Sequence, residues 1–213
     1  MDKDAFLKLE APAVRDLLKR KQTPRTGIFL SDGNRRLVMT ETGKQPGDDG
    51  FWTDYLEIVT GYFRKNLDVF FSYGLENLFF PIFGESLLER GKAYVDTVIP
   101  ELTRILFQEK SWLDFYLGKN IRVKAYGNVQ KLDEVFPGLD LKGKIDGAAA
   151  ATSGCGGHTL YFGFFSTPNG LLELRQPLNH FISTHGREPG DRELIELYYG
   201  EAVPKAEFFI NSI

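Results

Sequence analysis

Thr26-Gly27-Ile28-Phe29-Leu30-Ser31, followed at once by Asp32-Gly33-Asn34-Arg35-Arg36, is the stretch that decides the fold. A brief apolar run bounded by Pro24 and by an Asp-Gly pair has the pattern of a buried strand that stops in a turn. Gly33 permits a tight backbone path, and Asp32 offers a carboxylate to a metal ion or to a proton. The adjacent Arg35 and Arg36 can donate several charge-assisted hydrogen bonds to an oxyanion such as a phosphate. Backbone N–H groups at the start of a following helix would add to that anion site. By pattern alone the same residues also describe a surface turn with solvated arginines.

Outward from this stretch, helix and strand signals alternate. Val14, Leu17 and Leu18 predict a short amphipathic helix over residues 12–20. Thr42 to Gly50 is polar and Gly- and Pro-bearing, a loop. Trp52, Tyr55, Leu56, Val59, Tyr62, Phe63, Leu67 and Phe70 recur at steps of three and four, which predicts a helix over 52–73 ending near Gly74. Asn77 to Ile82 reads as a second strand with Pro81 at its end, because proline donates no ladder bond. Residues 85–117 read as helical with a break near Glu109-Lys110-Ser111; 121–126, 160–165 and 208–210 read as strands, and 171–184 and 190–199 as helices. Short strands separated by helices imply parallel pairing, since a parallel neighbour needs a long crossover. The expectation is therefore a single α/β domain over 1–213: an open, mostly parallel central sheet flanked by helices on both faces. Ligands of such sheets bind beyond the carboxyl ends of the strands.

The 213 residues carry 26 Lys plus Arg against 29 Asp plus Glu, a formal net charge of −3, so a nucleic acid is not the expected partner. No run of about 18 apolar residues exists, which argues against an integral membrane helix. The opening Met1-Asp2-Lys3-Asp4 lacks the pattern of a signal peptide, and the lone Cys155 asks for no oxidising compartment; the expected location is cytoplasmic. His158, His180 and His185 share no metal-ligand spacing, Gly154-Cys155-Gly156-Gly157 fits no phosphate-loop pattern, and Asp48-Asp49 is read as a helix-start pair. The 18 Phe, 9 Tyr and 2 Trp suit either an aromatic core or the wall of a pocket for an apolar or cationic ligand. Arg90, in Phe83-Gly84-Glu85-Ser86-Leu87-Leu88-Glu89-Arg90-Gly91, is either a further anion ligand or a solvated helix residue.

Strand, Asp32-Gly33-Asn34-Arg35-Arg36, loop, long amphipathic helix and strand together resemble the start of cis-prenyltransferases, whose signature is Asp-Gly-Asn-x-Arg. The paired arginines resemble a divergent branch, the diterpene synthases of the tuberculosinol (tuberculosinyl adenosine) synthase type. Pro81-Ile82-Phe83, Leu87-Leu88-Glu89-Arg90-Gly91, Tyr126-Gly127, His185-Gly186-Arg187-x-Pro189 and the run from Arg192 to Glu201 carry the resemblance further. It covers nearly the whole chain apart from a gap-prone middle around 133–157.

The resemblance implies an undecaprenyl diphosphate synthase-like sheet with an isoprenoid-lined tunnel and a homodimer. It implies a diphosphate held by Gly33, Asn34, Arg35 and Arg36. Asp32, Tyr55 and Tyr94 are implied as catalytic residues, with Asp32 also the ligand of a Mg²⁺. Periodicity alone leaves Tyr55 open as a core residue of its helix. Chain-elongating relatives carry an Arg-x-Gly-Gly-Glu-x-Arg-x-Ser run where this chain reads Phe208-Phe209-Ile210-Asn211-Ser212-Ile213. A second diphosphate thus has no evident seat, elongation is disfavoured, and a C-terminally truncated chain is the expectation. The implied reaction is ionisation of an allylic, bicyclic, twenty-carbon diphosphate with capture of the cation by water. The alternatives are transfer of that cation to a nucleophile such as adenosine, and a non-catalytic partner subunit.

Overall fold

The computed structural model describes residues 2–21, 25–165 and 171–212; Pro24 and Ile213 lie outside them. Along the chain come α1 (Lys3–Leu7), α2 (Ala11–Lys21), β1 (Thr26–Ser31), α3 (Asn34–Thr42), α4 (Phe51–Ser72) and β2 (Asn77–Phe83). A 3₁₀ turn (Glu85–Glu89) leads to α5 (Lys92–Gln108), α6 (Lys110–Gly118), β3 (Ile121–Gly127), α7 (Lys131–Val135) and α8 (Leu141–Ala151). β4 (His158–Phe164), α9 (Leu171–His185), α10 (Asp191–Tyr199) and β5 (Phe208–Ser212) complete the order. The strands form one five-stranded sheet in the order β3-β4-β2-β1-β5, and every neighbouring pair is parallel. This is the open parallel α/β sheet expected from the alternation of strands and helices. No helix among the described residues is long and apolar enough to cross a membrane.

Alternation along each strand divides the apolar side chains between the two faces. Phe29, Leu78, Phe80, Val123, Leu160 and Phe162 face α4 and α5 and pack with Val59, Phe63, Leu67, Val98 and Leu106. Phe79, Tyr126 and Tyr161 point the other way, against Tyr198 and Tyr199 of α10. The aromatic surplus goes mainly into this packing rather than into the wall of a ligand tunnel. Phe63 meets Phe80 edge-on at 4.8 Å and 83°, and Phe107 meets Phe162 at 4.9 Å and 74°, the offset geometry that ring quadrupoles favour.

Several expectations are corrected. Pro81 lies inside β2, not at its end. β1 and β2 pair only from Thr26↔Asn77 to Ile28↔Phe79, and the ladder with β4 shifts between Pro81 and Phe83. A residue without an N–H is tolerated where one ladder has ended and the other is irregular. The helix read over 85–117 begins as the 3₁₀ turn and becomes α-helical only at Lys92, while the break falls at Glu109, whose backbone is extended. The middle of the chain, left without elements by the sequence pattern, folds into α7 and α8, and α3 follows the Asp-Gly turn directly. Asp48 is not a helix-start residue: its carboxylate accepts from the Gln45 N–H at 2.7 Å and closes the preceding turn. The acidic residue of the first turn of α4 is Asp54, paired with Lys44 at 2.6 Å.

Candidate functional site

Because β1 and β2 stop pairing at Ile28 and Phe79 but run on to Ser31 and Phe83, their carboxyl ends part. A cavity of about 280 Å³ opens in that gap. Asp32, Gly33, Asn34, Arg35, Arg36, Tyr55 and Tyr94 all line it, so the structure brings every residue singled out at the sequence level to one place. Phe63, Phe80, Ile82, Leu87 and Leu102 form the apolar part of its wall. The result is amphipathic, with cations on one side and hydrocarbon on the other.

The turn that carries the polar side is held locally. Ser31 Oγ donates to Asn34 Oδ1 at 2.9 Å, and Asn34 Nδ2 donates back to the Ser31 carbonyl at 3.3 Å. Gly33 has φ of 72°, a left-handed conformation that other residues adopt only with strain, and its N–H donates to Asp32 Oδ1 at 2.7 Å. Gly33 is also the N-cap of α3, and no side chain closes that helix's first turn. The leading N–H groups of α3 are therefore left for a ligand in the cavity that these residues line.

Arg35 and Arg36 stand on the first turn of α3, and Arg90 joins them from the end of the 3₁₀ turn. The Arg90 guanidinium lies 5.5 Å from the centre of the Tyr94 ring. Among the described residues none of the three forms a salt bridge, and Asp32 is the one carboxylate lining the cavity. Three cations against one carboxylate leave a local excess of positive charge facing an opening. The sequence pattern left Arg90 open; the structure assigns it to the cavity. Phe63 and Leu102 were missed because their helical periodicity marks them only as core.

Tyr55 and Tyr94 are each 3% exposed, and their rings meet edge-on at 6.2 Å with Trp52 beside both, at 5.7 and 5.4 Å. Tyr55 is thus a core residue of α4 and a lining residue of the cavity at once. Burial pushes its phenol far above the ordinary value, the neighbouring Tyr94 adds to this, and Arg90 and Asn34 pull in the other direction. Burial also raises the Tyr94 phenol, opposed by Arg90, Tyr55 and Arg35. Both hydroxyls consequently stay protonated at neutral pH. They can donate a hydrogen bond or present a ring face, and they are not phenolate bases.

Among the described residues no group of three or more His, Cys, Asp or Glu side chains stands ready for a metal. Mg²⁺ is commonly held by one or two carboxylates, with waters and substrate phosphates completing its shell. Asp32, beside the uncapped first turn of α3, fits that share. A second cavity of about 400 Å³ shares Asp32, Gly33, Asn34 and Arg36 and adds Leu37, Thr40, Tyr62 and Ser212.

No protein-family profile matches the chain. In sequence it is 31% identical, over 207 residues, to tuberculosinyl adenosine transferase of Mycobacterium tuberculosis (strain CDC 1551 / Oshkosh), covering 97% of this chain and 67% of that protein. In structure it is similar to lavandulyl diphosphate synthase from Lavandula x intermedia in complex with dimethylallyl diphosphate, with a TM-score of 0.66 and 13% identity over 84% of this chain and 72% of that one. A probable undecaprenyl diphosphate synthase from Campylobacter jejuni gives a TM-score of 0.61 and 15% identity over 88% and 74% of the two chains. At these identities the two solved structures speak for the fold alone.

Proposed function

The chain belongs to the family of tuberculosinyl adenosine transferase, with a cis-prenyltransferase fold, and from that premise we propose that its strand-end cavity ionises an allylic prenyl diphosphate. The observation that carries this reading is the amphipathic cavity. Its Arg35, Arg36 and Arg90, which form no salt bridge among the described residues, suit a diphosphate, and its Phe63, Phe80, Ile82, Leu87 and Leu102 suit an isoprenoid chain. As the allylic C–O bond breaks, its electron pair goes to the leaving diphosphate. The arginines and the first N–H groups of α3 meet the charge that grows there, in a site partly closed to water. The rings of Tyr55 and Tyr94 stand where the allylic cation forms, or their hydroxyls position the nucleophile. Asp32 is the residue that would hold Mg²⁺, which when bound would supply further charge for the diphosphate. Without a metal, Asp32 orients the attacking water and takes its proton.

With water as the nucleophile, the product is a diterpene alcohol formed from a bicyclic twenty-carbon diphosphate, an alcohol such as kolavelool, together with inorganic diphosphate. A second reading passes the same cation to a nucleophile such as adenosine. It is favoured by the name of the 31%-identical relative and by the second cavity, where Thr40, Tyr62 and Ser212 offer hydroxyls beside Asp32 and Arg36. The test is incubation with geranylgeranyl, halimadienyl-type and clerodane-type diphosphates, with and without Mg²⁺ and adenosine, with diphosphate assay and mass spectrometry. Release of diphosphate with an alcohol supports the hydrolytic reading, and a prenylated purine supports transfer. No release from any of them, together with capture of a second prenyltransferase polypeptide, would leave the non-catalytic subunit.

A further inference from the structure

A side chain that lines a cavity lacks packing atoms on that side, so its tilt is set by the neighbours on the other. Tyr55 and Tyr94 both line the strand-end cavity. Among the described residues their ring neighbours are each other and Trp52, with the Arg90 guanidinium over Tyr94.

Trp52 is the second residue of α4, one turn before Tyr55, and it reaches across to Tyr94 on α5. The three rings close a triangle in which every pair is edge-on. The planes stand at 65° for Trp52 and Tyr55, 73° for Trp52 and Tyr94, and 79° for the two tyrosines. Ring quadrupoles favour this geometry, and in a closed set each ring is held against the other two. Trp52 is half-buried at the edge of the core and is not among the residues lining the cavity. Whatever it does for a ligand there, it does through the tyrosines.

We propose that Trp52 is a positioning residue for the reaction in the strand-end cavity, holding the Tyr55 and Tyr94 rings at the tilt from which they meet the allylic cation. This rests on the reading that the cavity ionises an allylic prenyl diphosphate. Attraction between a cation and a ring acts over the ring's face, so it depends on tilt. The cation exists only once the C–O bond is breaking, whereas Arg35, Arg36 and Arg90 are proposed to hold the diphosphate before that. Loss of Trp52 therefore acts on kcat and leaves KM in place. A tryptophan that served packing alone would, when replaced, loosen the start of α4 and change both together.

The test compares wild type with Trp52→Leu, which removes the ring, and Trp52→Phe, which keeps a ring edge. Because Trp52 is half-buried at the core's edge, neither change should unfold the chain. Diphosphate release is followed with whichever of the three diphosphates named above wild type turns over, and crystal structures of both variants are determined. Trp52→Leu should lower kcat about tenfold, the scale of an edge-on ring pair, with KM within about twofold. Its crystal structure should show Tyr55 and Tyr94 turned from their 79° edge-on packing. Trp52→Phe should restore kcat to within about threefold of wild type. A wild-type kcat in Trp52→Leu, a KM that rises as kcat falls, a Phe variant as slow as the Leu variant, or unmoved tyrosine rings would overturn the proposal. A wild-type chain that releases no diphosphate from any of them counts against the ionisation reading instead, and the ring angles in Trp52→Leu then decide on Trp52 by themselves.

Discussion

Two groups of cations, one on the sheet and one beyond its strand ends, fare differently. On the face toward α10, Arg122 and Lys124 both close on Glu201, at 3.0 and 2.8 Å, and the same carboxylate accepts from Tyr161. At the parted ends of β1 and β2, Arg35, Arg36 and Arg90 share one cavity with Asp32, and no described carboxylate pairs with them. The first group ties α10 to the sheet with its charge already satisfied. The second has no described carboxylate partner, which is why it is proposed to meet an anion from outside. Residue type is nearly the same in both; what separates the two groups is whether the fold supplies the counter-charge.

The largest expected effect breaks that comparison at the strand ends. Arg36→Ala and Asp32→Ala should each lower diphosphate release about 10²-fold or more, with the far-ultraviolet spectrum unchanged. Arg122→Ala should leave turnover within a few-fold and lower the melting temperature instead. Equal kinetic effects at Arg36 and Arg122 would erase the distinction. Next comes Tyr55→Phe, expected to cost about tenfold, the size of one neutral hydrogen bond, because the ring proposed to face the cation is retained. Steady-state kinetics of Tyr55→Phe beside Tyr55→Ala separates the two contributions, and a loss as large as that of Tyr55→Ala would move the role wholly to the hydroxyl.

A smaller effect is expected at the paired group. Glu201→Gln should lower unfolding stability by about 1–2 kcal/mol, read from the urea midpoint at unchanged slope. Burial alone would raise the Glu201 carboxyl, but hydrogen bonds from Lys124 and Tyr161 and the charge of Arg122 overcome it and hold it below the ordinary range. A carboxyl lowered on folding contributes stability above its unfolded value, lost as pH falls through its folded one. Wild-type stability should therefore decline on acidification below about pH 4.5, more steeply than that of Glu201→Gln. The smallest effect belongs to His158, whose Nδ1 meets the Leu75 carbonyl at 2.7 Å. Burial, against the pull of that carbonyl and Glu76, lowers its pKa. The folded state thus keeps His158 neutral while the unfolded chain takes up a proton below about pH 6.5, so stability should fall gently in that window. A flat profile there, by chemical denaturation at several pH values, would contradict it.

The turn at Asp32-Gly33 was legible because a strand ending in Asp-Gly with two arginines is a local pattern, and the parallel sheet followed from the alternation of short strands with long crossovers. What was not legible depends on contacts between distant segments. Proline's missing donor placed Pro81 at a strand end, yet β2 runs through it because the ladder with β1 has already stopped. No local signal says that. Periodicity could not decide between core and site for Tyr55, which is both. The aromatic count suited either a core or a pocket wall, and the fold uses some rings for both: Phe63 and Phe80 meet edge-on in the core and also line the cavity of about 280 Å³. Arg90 reaches the cavity only because the 3₁₀ turn after β2 aims it there.

The most direct test is a crystal structure of the chain with geranylgeranyl thiolodiphosphate. The diphosphate is expected against Arg35, Arg36, Arg90 and the first turn of α3, with the proximal carbons between Tyr55 and Tyr94. A head group seated elsewhere, with the three guanidinium groups directed into solvent, would contradict it.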